Sequence, residues 1–358
     1  MFRILFYFIC FRFLQKLSTL NEELQILDLK DMQRAPQSKE VRMALIQAAK
    51  IVTALKLTMT GEVSQNFGFE ILQECHDHLK SLEIVLPKYA KVPFQKTLMS
   101  FILQLNLHSL IMFGSFACVT TLNPVQKEAT LVALKCAGEA KARNNFLKTL
   151  VHTNSDTLAY LDFGEDPLPD TLSSASSCTN LRAVIVQTFK QLQFFSNLND
   201  NVQVVVRGCP QENVEDAVDF ILRAPEGSIL RSLSFLGIFA NGKNRDRMDL
   251  LLMAVASTCQ NLTALKLIGW CGSSDIVSVL RGMPQLTRLS MQHCMDMQEC
   301  LLDELSTEEI LPNLRGFVIE STSWHGLSEG QLLEKLQRIS SARPKLFLWT
   351  RGTTSSHC

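Results

Sequence analysis

One short pattern keeps returning along the chain: an apolar residue, two others, an apolar residue, one other, an apolar residue. It appears as Leu24, Leu27, Leu29 and as Val52, Leu55, Leu57. It returns as Leu79, Leu82, Ile84 and as Leu107, Leu110, Met112. Later copies are Leu158, Leu161, Phe163, then Leu181, Val184, Val186, then Leu230, Leu233, Phe235. Leu262, Leu265, Leu267, then Leu286, Leu289, Met291, then Leu314, Phe317, Ile319 follow, and Pro344 to Trp349 reads as a last, irregular copy. A pattern with a fixed period of a few tens of residues admits few folds, because each copy must be one small structural unit stacked on its neighbours.

Most intervals between successive middle positions lie near the ~20–29 residues of a small repeating unit. Two are longer, from Leu110 to Leu161 and from Val184 to Leu233, and each is close to two periods. The second contains a strand candidate, Val202 to Val206. The first contains Leu131, Leu134, Cys136 at the right spacing. That stretch, however, lies within good helix formers and fits a helix equally well, so the assignment between 113 and 157 stays open. Leucine is the commonest residue of the chain and supplies most of the pattern.

Helical signals fill the intervals. Lys39 to Lys50 carries apolar residues at Val41, Leu45, Ala48 and Ala49. Pro93 stands where a first helical residue is expected, before Phe94, Leu98, Ile102 and Leu105. Asn213 offers an N-cap with Asp216 three residues on. The stretches around 248–259, 274–283 and 328–340 continue the alternation. Each unit is therefore a strand, a loop and a helix. A lone unit cannot bury its apolar face, but stacked units make a parallel sheet on a concave side and a helix row on a convex side. Burying each pattern side chain contributes about 1.5–3 kcal/mol. The expected fold is an α/β solenoid. Residues 1–23 form an apolar N-terminal segment that reads as a helical cap, 24–349 an array of about a dozen units, and 350–358 a polar disordered tail.

Composition excludes several functions. Lys+Arg and Asp+Glu are both 35, so the formal net charge is +0, without the basic excess of a nucleic-acid binder. The 46% hydrophobic content is far from that of disordered chains. Eleven cysteines, an odd number, do not make a fully paired disulfide framework. The apolar run Ile4 to Cys10 is too short to span a bilayer and lacks a small-residue cleavage site before the polar stretch that follows. The expected setting is cytoplasmic or nuclear, with no membrane partner.

Cysteines recur at fixed offsets from the pattern. Cys178 and Cys259 lie three residues before Leu181 and Leu262, Cys294 lies three after Met291, and Cys75 is one residue out of register. On these residues and the repeat, the chain resembles leucine-rich-repeat proteins, specifically the cysteine-containing repeats of F-box/leucine-rich-repeat proteins. The resemblance covers about Leu24 to Trp349. It implies a ribonuclease-inhibitor-like horseshoe that binds a protein on its concave face. It further implies substrate recognition for an SCF-type ubiquitin ligase, with an adaptor docked through an F-box. The sequence departs from that family at one point: the segment ahead of the first repeat, Met1 to Glu23, matches no F-box. The chain is thus either an incomplete version or an F-box-less relative, and a scaffold or regulator of the ribonuclease-inhibitor class is the alternative.

No catalytic constellation is present: no phosphate loop, no dinucleotide fingerprint, no HExxH and no GxSxG. Cys75, His76, Asp77 and His78 are metal-ligand types, but four consecutive residues on one helix turn cannot face one ion. Cys294 reads as a small buried residue and His293 as a polar residue on the concave side. No cofactor or metal is expected, and the chain is not expected to be an enzyme.

The concave face can be read from two files of residues. The file between the second and third pattern positions runs Asp28, Lys56, Glu83, Ile111, Asp162, Ile185, Ser234, Lys266, Ser290, Val318. The file after the third runs Lys30, Thr58, Val85, Phe113, Gly164, Gln187, Leu236, Ile268, Gln292, Glu320. Val85, Ile111, Phe113, Leu236, Lys266, Ile268, Trp270 and His293 are the expected partner-binding residues. Mixed charge along the first file argues against a nucleic-acid or anionic-membrane partner.

Overall fold

The computed structural model describes residues 25–30, 36–86, 92–114, 128–137, 145–164, 169–195, 202–206, 214–223, 230–236, 245–270, 276–307, 309–352 and 354–356. The N-terminal segment 1–23 and the N-cap candidate Asn213 lie outside them. The chain divides into two compact units, Met1–Arg182 and Ala183–Cys358.

In the first unit, strands β1 (Ile26–Leu29), β2 (Ala54–Thr58), β3 (Ser81–Val85), β4 (Ser109–Phe113), β5 (Ala133–Ala137) and β6 (Tyr160–Phe163) pair in chain order, all parallel. Helices α1 (Lys39–Ala49), α2 (Glu62–Glu74) and α3 (Val92–Ile102) connect the first four strands. Helix α4 (Asn145–Thr153) connects β5 to β6, and α5 (Pro169–Ser176) follows β6. The open choice at Leu131–Cys136 resolves as strand β5, whose Leu134 and Cys136 stand beside Leu110 and Met112. Parallel pairing with β4 buries both side chains, and an isolated run of helix formers does not outweigh that burial. Pro93 is the second rather than the first residue of its helix.

The second unit begins with β7 (Ala183–Val186), a 3-10 helix (Phe189–Phe195), β8 (Gln203–Val206), α6 (Val214–Arg223) and β9 (Leu230–Leu236). It continues through α7 (Arg245–Thr258), β10 (Ala264–Ile268), α8 (Ile276–Arg281), β11 (Arg288–Gln292), α9 (Cys300–Ser306) and β12 (Gly316–Glu320). It closes with β13 (Ser323–His325), α10 (Glu329–Ala342), β14 (Phe347–Arg351) and β15 (Thr354–Ser356). Strands β7 to β12 and β14 pair in that order, all parallel. The register slips between Val204 and Val205 of β8. Positions 350–358, expected as a disordered tail, instead contain the end of β14 and strand β15, which pairs in parallel with β13.

The repeat is visible in both backbone and packing. Leu27, Leu55, Leu82, Leu110, Leu134 and Leu161 stand side by side and are buried. The residue between the two buried pattern positions is half-buried in β2, β4, β5, β10 and β12, so the alternation sets one face of each strand against the core and leaves the other open. At seven strand entries two successive N–H groups share the carbonyl of the residue just before the preceding strand. Thr53 and Ala54 donate to Gln25, Lys80 and Ser81 to Thr53, His108 and Ser109 to Lys80. Val132 and Ala133 donate to His108, and Ala159 and Tyr160 to Val132. The second unit repeats this at Thr287 and Arg288 to Thr263, and at Arg315 and Gly316 to Thr287. Behind the sheet, α1 buries Leu45, Ala48 and Ala49, and α3 buries Leu98, Met99 and Ile102.

A second recurrence follows the strands. The residue two past the third pattern position has positive φ at Gly114 (114°), Gly269 (66°), His293 (53°) and Ser321 (46°). After Gly269, His293 and Ser321 the next residue turns inward and is buried. Cys294 and Thr322 fill this slot in successive repeats. Cys294 Sγ lies 3.6 Å from the Leu267 carbonyl, and Thr322 Oγ1 donates to the Met291 carbonyl at 3.2 Å. In these two repeats the buried slot is filled by a small donor.

Candidate partner-binding face

The open face of the first unit carries files of side chains in register. The middle file runs Asp28, Lys56, Glu83, Ile111, Lys135, Asp162. The file after it runs Thr58, Val85, Phe113, Ala137. Strands about 4.8 Å apart bring charges of opposite sign within reach of one another. Glu83 holds Lys56 Nζ at 3.1 Å and is also paired with Lys30. Burial alone would push the Glu83 carboxyl up, but hydrogen bonds and charge from Lys30 and Lys56 outweigh it and hold the group below the ordinary carboxylate value. Lys135 Nζ lies 3.5 Å from Asp162 Oδ2 and 5.6 Å from the centroid of the Phe113 ring. Asp162 itself is only 1% exposed.

These pairings decide what the face presents. Glu83 and Asp162 are taken up by lysines within the sheet, while Val85, Ile111 and Phe113 remain half-buried on neighbouring strands. Three of the expected contact residues are therefore one patch. Lys135, absent from the expected files because its strand was ambiguous, belongs beside them. Its signal in sequence was the Leu131, Leu134, Cys136 spacing.

On the second unit, Lys266 and Ile268 lie half-buried on β10. Leu236 stands beside Ile268 in register, and its side chain lies outside the described residues. Two expected residues are corrected. Trp270 is 3% exposed and offers no surface to a partner. It stands three past Leu267, in the same inward slot as Cys294 and Thr322, and the Met295 N–H donates to its carbonyl at 2.9 Å. His293 is exposed, but it lies in the left-handed turn after β11 rather than in a concave file. In place of these two, β14 brings Phe347 and Trp349 to the open face, 64% and 37% exposed.

Among the described residues no three His, Cys, Asp or Glu side chains converge on one point. Cys75 to His78 form a turn at the end of α2 rather than a helical turn. Cys75 is buried there, and His76 Nδ1 faces the Gln73 carbonyl at 2.6 Å. Cys75, Cys136, Cys178, Cys259 and Cys294 are buried, and Cys300 is exposed. No described helix is long and apolar enough to cross a membrane.

No protein-family model matches the sequence, and comparison with curated proteins finds no match. Among solved structures, an internalin from Listeria monocytogenes is similar at 12% identity and a TM-score of 0.42, over 97% of this chain and 88% of that one. The yeast Rad7–Elc1 complex contains a chain similar at 15% identity and a TM-score of 0.36, over 86% of this chain and 77% of that one. The leucine-rich-repeat ectodomain of a membrane receptor kinase from Arabidopsis thaliana is similar at 13% identity and a TM-score of 0.32. That alignment covers 95% of this chain and 43% of the ectodomain. The chain is built as an α/β leucine-rich-repeat array, as its own strand register and burial alternation establish.

Proposed function

We propose that the chain is a protein-recognition module and that the patch Val85, Ile111, Phe113 on the first unit is its contact centre. The observation that carries this reading is the closure of the surrounding charges. With Glu83 held by two lysines and Lys135 turned to Asp162, the side chains between these pairs, at Val85, Ile111, Phe113 and Ala137, are apolar. Apolar centres ringed by internally satisfied charge suit a protein partner better than a polyanion. A photo-crosslinking residue at Phe113 tests this against the same residue at Val63, 69% exposed on α2. Adducts specific to position 113 support the reading. The same adducts at both positions overturn it.

The finer reading is substrate recognition within an SCF-type ubiquitin ligase. It is supported by the cysteine-type repeat, with Cys178, Cys259 and Cys294 at their offsets. Affinity purification of the full-length gene product should then recover an adaptor and a cullin subunit. Their absence would favour the alternative, a scaffold or regulator of the ribonuclease-inhibitor class working through the same face. Residues 24–349 are read as one array in either case.

A further inference from the structure

Among the described residues, strand β14 stands at the end of its sheet and pairs with β12 alone. The Phe347 N–H donates to the Arg315 carbonyl at 2.8 Å, and the Arg351 carbonyl accepts from Ser321 N–H at 2.7 Å. Alternate residues of a strand point their backbone groups to opposite sides. Phe347, Trp349 and Arg351 are therefore bonded towards β12, and Leu348 and Thr350 aim their N–H and C=O groups at the outer edge. Among the described residues nothing bonds to that edge. Natural sheets usually blunt such an edge, because it is a template for another strand.

Four exposed cations and one half-buried carboxylate, Glu320, stand around it. Lys345 precedes β14, Arg351 ends it, and Arg315 lies beside its start; all three are exposed. Arg288, also exposed, shares a row with Gly316 and Phe347, and its Cγ lies 3.7 Å from where a Gly316 Cβ would stand. Among the described residues no carboxylate pairs with any of the four, and this includes Glu320, the Cα partner of Arg351. Two exposed aromatic rings, Phe347 and Trp349, lie between these cations.

We propose that the outer edge of β14 takes up an extended acidic segment of a partner protein as an added strand. Backbone bonds from Leu348 and Thr350 would hold the segment, and carboxylates at its alternate positions would meet the four cations. A second copy of this chain fits less well, because antiparallel pairing of β14 about Leu348 sets Lys345 against Arg351. A nucleic acid would meet the cations but has no peptide backbone to pair with the edge. This inference concerns a different surface from the apolar patch of the first unit and does not depend on it.

The chain carries its own reporter. Of its three tryptophans, Trp270 and Trp324 are 3% and 0% exposed, and Trp349 is 37% exposed. The full chain is titrated with a short capped peptide of alternating Val and Glu, with its Val and Lys counterpart, and with an oligothymidine. A saturable blue shift of tryptophan emission with the Glu peptide alone is expected, weakening about tenfold or more on going from low to high salt. Leu348→Pro, which removes an outward N–H, should abolish the shift, and Leu348→Ala should retain it. Lys345→Glu with Arg351→Glu should transfer binding to the Lys peptide, a readout independent of whether the proline variant folds. Equal response to both peptides, response to oligothymidine alone, or a concentration-dependent doubling of mass without peptide would each overturn the proposal.

Discussion

The Lys56 ammonium lies 3.1 Å from a Glu83 carboxylate oxygen on the open face, between adjacent strands whose Cα atoms pair at these two residues. Lys30 approaches the same carboxylate from the end of β1, two strands away from Glu83. Glu83→Gln should cost about 1 kcal/mol at neutral pH, since the glutamate side chain is only 11% exposed but the lysines are partly solvated. The Glu83 carboxyl titrates lower folded than unfolded, so its contribution is present above the unfolded value of about 4.3 and is lost as pH falls through the folded one. Urea denaturation across that acid range should show wild type converging on the variant. A constant gap between them would refute the pairing.

Gly114 turns the chain after β4 at a φ of 114°, and a Cβ there would lie 2.1 Å from the Leu86 carbonyl oxygen. Backbone cannot yield as a side-chain tip can. Gly114→Ala should destabilise by about 3 kcal/mol or more. Gly330, in the first turn of α10 with nothing near its would-be Cβ, makes the contrast: Gly330→Ala should stabilise by about 0.5–1 kcal/mol. Thermal denaturation of the two variants reads both signs.

The buried thiols should be inert. Burial pushes Cys75 and Cys259 up to about 12 and Cys178 to about 11. The folded chain keeps these protons to higher pH than the unfolded chain, whose thiols titrate near about 8.5. Their contribution to stability is therefore whole below about 8.5 and is lost as pH rises towards 12. Peptide mapping after brief alkylation at mildly alkaline pH should find Cys300 modified and these three untouched. Early modification of Cys259 would contradict its place in the core.

Trp270 and Phe113 should separate stability from recognition. Trp270→Ala empties a buried slot and should cost about 3–5 kcal/mol. Phe113→Ala removes a half-buried ring from the open face. It should cost only about 1–2 kcal/mol of stability while abolishing the partner capture attributed to the patch. Denaturant midpoints and binding measured on the same preparations distinguish the two.

Most strand positions of the main sheet and its buried Leu, Val, Ile and Met columns were legible from spacing alone, whereas β13, β15 and the register slip in β8 were not. An apolar residue at a pattern position has only one favourable place, the shared core, and stacking repeats the choice at every unit. The inward place of Trp270 was within reach of the same reasoning, because it shares its offset with Cys294. Lys135 was hidden by helix propensity, a local preference that pairing with β4 overrides. What no periodicity contains is how side chains from different repeats meet. Lys30 reaches Glu83 across an intervening strand, Lys135 turns between Phe113 and Asp162, and β14 ends its sheet with its outer edge and two aromatic rings exposed. Burial is a property each residue carries along the chain. Charge pairing and edge exposure depend on which residues the stacked strands bring together, and only the tertiary structure decides that.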